Sequence, residues 1–472
     1  MEKPSHKQTG TPISRVTLAV VTGSGIVCAA IYFLNFKLHA LVAGLAGLAG
    51  PEFYVVIFLL LSALYLAAVV LVLKAIPAGA ASRFLIGIIL IFAVIFRISL
   101  VPAAPNVLSG DMYRYIWDGR VQQNGVNPYR YPPSAPELET LRDNRIFPNI
   151  NRKDYRTLYP AGAQIFFRLS HGLVGDSVAG FKAIMVFFDI LTLLVLLALL
   201  RNLRLHPTRI IIYAWNPLVI FEIAYSGHLE GLTVFLVAAA VYLFAVHKKI
   251  AGAVMLAFSA GVKMYPALLL AAFLNRGDRI KALAAFLATL VLLYMPFVGV
   301  GRNVSGFLPV YLKNPYESFN LGLKYLLMRL IPGLDYYLLS LIFVTVLALV
   351  GLVVFFKPKT DSEMLGHAYV LTGLLMILMP ASLHPWYVIL IIPFLVIYPS
   401  PAWLIFACTV SLSYLKYSSP LGIMPTWILL VEYVPLFALL AGGFILRKYP
   451  LQANASGMEL TRKKEKMAEV PR

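Results

Sequence analysis

Asp111 stands at the head of the stretch best equipped for chemistry: Ser109-Gly110-Asp111-Met112-Tyr113-Arg114-Tyr115-Ile116-Trp117-Asp118-Gly119-Arg120. It follows directly on an apolar segment that ends near Val101. A carboxylate at the mouth of such a segment can take a proton, and the guanidinium groups of Arg114 and Arg120 can hold an anionic group. If the stretch is helical, Arg114 and Asp118 fall on the face of Asp111. A carboxylate in a first turn also meets the positive end of the helix dipole. The same residues would equally make an N-terminal cap with a surface ion pair, which contributes little.

Three further groups carry chemistry-bearing side chains. Lys263 lies at the centre of an apolar run, where a lysine costs about 2.5–3.5 kcal/mol on insertion scales. It therefore faces a cavity or a partner, or else snorkels. It has no evident structural role in the sequence and reads as a cation available to a phosphate. His228 and Glu230 occupy a tight turn, Ser226-Gly227-His228-Leu229-Glu230-Gly231, with Trp215, Asn216 and Glu222 in the preceding span. His384 and Trp386 stand in Ser382-Leu383-His384-Pro385-Trp386-Tyr387, where the tryptophan and tyrosine also suit an interfacial belt. Tyr129 and Tyr159, in Asn127-Pro128-Tyr129 and Thr157-Leu158-Tyr159-Pro160, suit sugar rings or loop packing alike. No HExxH-like spacing supports a metal at His228 and Glu230.

The elements that must position these groups are membrane helices. The chain is 60% hydrophobic and only 13% charged, with a mean hydropathy of +0.81, far from the composition of a soluble domain. The expected fold is all-α: a polytopic transmembrane bundle with about 12 spans, near 16–36, 53–73, 84–101, 180–200, 209–225, 229–246, 281–300, 336–356, 365–380, 386–399, 401–415 and 424–446. The first run is too long for a signal peptide's apolar region and lacks a clear cleavage site, so it reads as a retained span. Cys28 and Cys408 both fall within apolar runs and suggest neither a disulfide framework nor a metal site. The net charge of +19 is scattered between spans and at the tails, which fits cytoplasmic loops and anionic headgroups rather than nucleic acid.

Lysine and arginine placement sets the orientation. The tail 1–15, Lys74 with Arg83, Arg201 to Arg209, Lys248 with Lys249, Lys357 with Lys359, and the basic tail 451–472 mark the cytoplasmic side. A single domain, 16–450, then carries an outer loop at 102–177, expected to hold amphipathic helices, and a smaller outer segment at 301–335. Residues 250–274 could cross once, as a helix of about 37 Å. That crossing would export Arg276, Arg279 and Lys281 and invert everything downstream. A re-entrant hairpin broken around Lys263-Met264-Tyr265-Pro266 keeps the pattern consistent.

In this order, Gly110–Arg120 with Asn127-Pro128-Tyr129, Trp215-Asn216-Pro217-Leu218 with Ser226-Gly227-His228, Val262-Lys263-Met264-Tyr265-Pro266, and His384-Pro385-Trp386-Tyr387 resemble the integral-membrane glycosyltransferases of the GT-C superfamily. The similarity is to bacterial polyprenyl-phosphate-mannose-dependent mannosyltransferases and covers roughly residues 80–400. The resemblance implies inverting transfer of a hexose or pentose from a polyprenyl phosphate to a hydroxyl of a lipid or glycan. The site would face outward from the inner or plasma membrane. Asp111 would be the general base, where the family often has two adjacent acids. Lys263, Arg114, Arg120 and His384 would meet the donor phosphate. His228, Glu230, Tyr129, Tyr159 and Trp386 would meet sugar or acceptor. No cofactor is implied, and a two-acid or metal-bridged arrangement is disfavoured. The competing class is a transporter or lipid-linked-sugar flippase, which also uses broken helices but usually in paired halves.

Overall fold

The computed structural model describes residues 14–46, 50–75, 83–102, 108–275, 277–311, 319–419 and 422–445. Lys3, Lys7, Arg276, Arg447 and the basic tail 451–472 lie outside them. The described residues are helical, with no strand. Long runs of Leu, Ile, Val, Phe and Ala form helices because lipid offers no partner to a backbone N–H or C=O. Three such helices open the chain: α1 (Arg15–Ala46), α2 (Pro51–Ala75) and α3 (Arg83–Leu100). The segment expected to form the outer loop holds α4 (Asp111–Gln123) and α5 (Ala161–Val174). There follow α6 (Val178–Asn202), α7 (Glu230–Ala245), α8 (Lys249–Val262), α9 (Arg279–Tyr294), α10 (Tyr336–Phe356), α11 (Asp361–Ile377), α12 (Pro401–Thr409) and α13 (Thr426–Ile445).

Seven helical stretches among the described residues are long and apolar enough to cross a membrane, and shorter apolar helices occupy others of the expected spans. Those others are short or broken for identifiable reasons. Residues 209–225 do not form one span: Pro217 starts a new helix, and the Asn216 side chain caps it by accepting from the N–H of Leu218 and Val219 at 3.0 and 3.4 Å. Five residues of π-helix, Phe221–Tyr225, then carry the chain into the turn at Ser226. Residues 386–399 are split into a 3-10 stretch, Pro385–Ile391, and a six-residue helix, Ile392–Ile397. Prolines lack the donor a continuous helix needs.

Residues 250–274 form the broken hairpin that the charge pattern requires. Lys249, at the start of α8, pairs with Asp278 just before α9 at 3.0 Å. The segment therefore returns to the end of the bundle from which it set out. Lys359 joins that end, its ammonium donating to the carbonyls of Ala271 and Leu274 at 2.6 and 2.9 Å. At the opposite end α8 stops at Lys263, whose backbone is extended at φ −137°, ψ 130°.

The outer loop packs more tightly than an amphipathic surface helix would. Every residue of α4 from Met112 to Gln122 is buried, whereas α5 exposes Arg168, Leu169 and Leu173. Gly119 makes the α4–α5 approach possible, since a Cβ there would run into the Phe167 carbonyl. The smaller outer segment is fastened to the same loop by Phe307 N–H donating to Thr157 C=O at 3.0 Å.

Candidate functional site

Asp111 is the first residue of α4 and stays partly exposed, while Met112 to Gln122 behind it are buried. The Asn151 side-chain amide donates to its Oδ1 at 2.6 Å. One residue on, Met112 presses against the Ser226–His228 turn. Gly227 there has φ +70°, and a Cβ would stand 2.8 Å from Met112 Sδ and 3.1 Å from Lys182 Cγ. Only glycine takes that conformation without strain, so the close approach brings the His228 turn against the helix that carries Asp111. Electrostatically, Asp111 acts on both His228 and Glu230, and Lys263 and His384 act on His228.

The turn is anchored from beneath. Glu222 is fully buried, and its Oε1 accepts from Tyr414 Oη at 2.8 Å and Tyr54 Oη at 3.4 Å. Its Oε2 lies 3.4 Å from His228 Nε2, within ion-pair reach but without the alignment of a hydrogen bond. Glu230 opens α7 and is also fully buried. Its Oε1 is 2.8 Å from Lys263 Nζ and accepts from Tyr265 Oη at 3.3 Å. Lys263 is therefore not a solitary cation. Its ammonium is committed to Glu230 and lies 5.1 Å from the centre of the Tyr387 ring. That corrects the expectation that it lacks a structural role.

Four rings form a column beside this pair. His228 stacks on Trp386 at 4.0 Å, Trp386 on His384 at 4.4 Å, and His384 on Phe319 at 4.7 Å. Trp386 Nε1, Glu230 Oε2 and both ring nitrogens of His228 are buried and make no hydrogen bond among the described residues. Such atoms cost free energy unless something pairs with them. A sugar ring, with hydroxyls that both donate and accept, has the matching chemistry.

The structure thus gathers Asp111, His228, Glu230, Lys263, His384 and Trp386 from four separate stretches of chain. Arg114 and Arg120 are engaged elsewhere. Arg114 donates to Asp118 at 2.8 Å and to the Tyr155 carbonyl at 3.1 Å. Arg120 pairs with Asp143 at 2.7 Å and Asp176 at 2.9 Å, and donates to the Leu141 carbonyl. Burial alone would make Arg120 less basic, but those two carboxylates outweigh it and hold it above its ordinary value. Burial likewise works to raise Asp143, yet Arg120 and the N–H groups of Ile146 and Phe147 hold it well below the usual carboxylate range. Both arginines brace the loop. Tyr129 donates to the Tyr159 carbonyl at 2.8 Å and packs edge-on against Phe297, and Tyr159 packs on Tyr115 and Phe167.

Several partners were not foreseen. The Asn-rich loop was visible in the sequence, but nothing singled out Asn151. Phe319, the last ring of the column, gives no signal at all. Arg97 and Asp189 form a fully buried ion pair at 2.5 Å, to which Tyr213 adds a hydrogen bond at 2.6 Å. Opposite charges in the middle of two apolar runs were the available clue. Among the described residues no group of three His, Cys, Asp or Glu side chains could hold a metal ion.

Residues 15–275, more than half of the chain, match the MptA_B family model, described as the N-terminal domain of alpha-(1->6)-mannopyranosyltransferase. No curated protein and no solved structure matches the chain. The partly exposed carboxylate, the buried polar atoms with sugar-like complementarity and the membrane helices agree with that match: the chain belongs to the MptA_B family of mannosyltransferases.

Proposed function

We propose that the chain moves a mannosyl group from a polyprenyl-phosphate donor to an acceptor hydroxyl on a lipid or glycan, with inversion and with Asp111 as general base. The reading gives the site to the outer face of an inner or plasma membrane, with both termini cytoplasmic. One observation supports it: Asp111 is partly exposed at the head of α4, whose next residue, Met112, packs against Gly227 in the turn that carries buried His228 and Glu230.

In the proposed step Asp111 takes the acceptor O–H proton as the oxygen bonds to the anomeric carbon. The bond from that carbon to the phosphate oxygen breaks, and its electron pair leaves with the lipid phosphate. The growing negative charge is met by His384, between Trp386 and Phe319 in the ring column. Lys263, which spends one of its three N–H donors on Glu230, is the second cation for that phosphate. Trp386, His228 and the second oxygen of Glu230 hold the sugar hydroxyls. No step requires a metal.

The test is transfer by purified full-length protein from labelled polyprenyl-phosphate mannose to lipid and glycan extracts. The wild type should give labelled product, and Asp111→Asn should lower turnover by about 10²–10⁴-fold with unchanged thermal stability. Turnover near the wild-type level in Asp111→Asn would remove the base, and absence of transfer by the wild type would remove the donor assignment.

A further inference from the structure

Glu432 is an acid within α13, an otherwise apolar helix, and it is fully buried. A carboxylate in such a span is costly unless the fold answers it. Here both oxygens are met by neutral donors. Asn320 Nδ2 donates to Oε2 at 2.7 Å, and Ser413 Oγ donates to Oε1 at 2.9 Å. The other half of the Asn320 amide is taken as well. Its Oδ1 accepts from the Gly322 N–H at 3.0 Å and from Tyr433 Oη at 3.2 Å. A buried polar cluster satisfied in this way holds its members in one arrangement.

The cluster lies one residue from the ring column. Phe319, the last ring, directly precedes Asn320. The Phe319 N–H donates to Ser382 Oγ at 3.0 Å, and the Asn320 carbonyl accepts from the Leu383 N–H at 2.8 Å. His384 follows Leu383, and its ring stacks on Phe319 at 4.7 Å. Fixing Asn320 therefore fixes both rings at that end of the column.

The opposite end is held from the same place. Tyr414, next to Ser413, donates to Glu222 at 2.8 Å and sets its ring edge-on to Phe319 at 5.9 Å. Glu222 in turn lies under His228. Two adjacent residues thus join the two ends of the column. Glu432, Asn320, Ser413 and Tyr414 all lie beyond residue 275, where the family match ends.

We infer that Glu432 is a positioning residue for the transfer step: through Asn320 and Ser413 it keeps His384 stacked between Trp386 and Phe319. It acts through those rings and meets no substrate itself. The inference rests on the roles proposed above for His384 and Trp386. A group that meets charge developing on the leaving phosphate acts in the transition state, so a displaced His384 lowers kcat more than it raises the donor KM. A shift of about 1 Å is enough to cost about 10²-fold.

The experiment compares Glu432→Met with Glu432→Gln in purified full-length protein. Methionine fills the space but leaves Asn320 and Ser413 without that acceptor. Glutamine still accepts from Asn320 and can donate to Ser413. With labelled polyprenyl-phosphate mannose, Glu432→Met should lose about 10²-fold in kcat with little change in donor KM, and Glu432→Gln should recover most of that loss. A second readout needs no turnover: acrylamide quenching of Trp386 fluorescence, taken as the difference between each protein and its Trp386→Phe counterpart. Quenching should rise in Glu432→Met and match the wild type in Glu432→Gln. If Glu432→Met does not fold, Tyr433→Phe, which deletes one hydroxyl given to Asn320, takes its place, with kcat lower by about tenfold and Trp386 quenching raised. Unchanged Trp386 quenching in the variant so tested, a loss confined to donor KM, or equal losses in Glu432→Met and Glu432→Gln overturns the inference. Absence of transfer by the wild type removes the proposed donor instead, and Trp386 quenching alone then decides the role of Glu432.

Discussion

Lys263 Nζ and Glu230 Oε1 stand 2.8 Å apart, tying the last turn of α8 to the first residue of α7. The glutamate is fully buried and the lysine nearly so. Removing one member of such a pair strands the other charge, so Lys263→Met should destabilise the protein by about 3–5 kcal/mol. Lys263→Met/Glu230→Gln should recover most of that loss. Thermal unfolding in detergent of the two variants decides it, and equal midpoints for Lys263→Met and the wild type would refute the pairing argument.

Trp386 contributes both a ring to the column and a buried N–H without a partner among the described residues. Trp386→Phe keeps an aromatic ring there but deletes the donor and part of the indole's volume. Its stability should stay close to wild type while transfer falls by about tenfold, the cost of one lost hydrogen bond to substrate. Trp386→Leu should lose both stability and activity. Unchanged transfer in Trp386→Phe would show that the indole N–H meets no substrate.

The Arg120–Asp143 bridge gives the loop a pH dependence. Asp143 is held below its unfolded value of about 3.9 by Arg120 and two backbone N–H groups, despite burial that acts the other way. A depressed carboxylate contributes stability that is complete above the unfolded value and drains away as pH falls through the folded one. Exchange of residues 141–147 should therefore speed up as pH drops below about 4, after correction for intrinsic rates. Asp143→Asn should be less protected at neutral pH and should lack that acid step.

The hairpin makes a prediction about sidedness. Cysteines introduced at Lys249 and Asp278, which touch at 3.0 Å, should both resist an impermeant thiol reagent in intact cells. A cysteine at exposed Asn149 in the outer loop should react. Labelling of 278 without 249 would mean that residues 250–274 cross the membrane.

Much of this was legible because membrane burial writes itself into composition. Helices α1, α2, α3, α6 and α10 follow uninterrupted apolar runs, and the hairpin followed from lysine and arginine placement alone. The motifs around Asp111, His228, Lys263 and His384 were also visible, since polar residues stand out in an apolar chain. What the sequence hid was pairing at a distance. Glu230 and Lys263 meet only because α7 and α8 run antiparallel, and Arg120 turned to Asp143 and Asp176 only because the loop folds back on α4. Seven of the expected spans are met by helices long and apolar enough to cross a membrane. Asn216-Pro217 interrupts another run that hydropathy alone reads as continuous.

The brevity of α7 and α8 bears on how they enter the membrane. Helices α7 and α8 have 16 and 14 residues, about 24 and 21 Å in length, against a hydrocarbon layer of about 30 Å. Neither can be handed to the bilayer as a finished span. Glu230 and Lys263 at their joined ends would each be costly in lipid until they neutralise one another. The cost falls when the two helices enter the membrane as a pair, packed against α6 and α9.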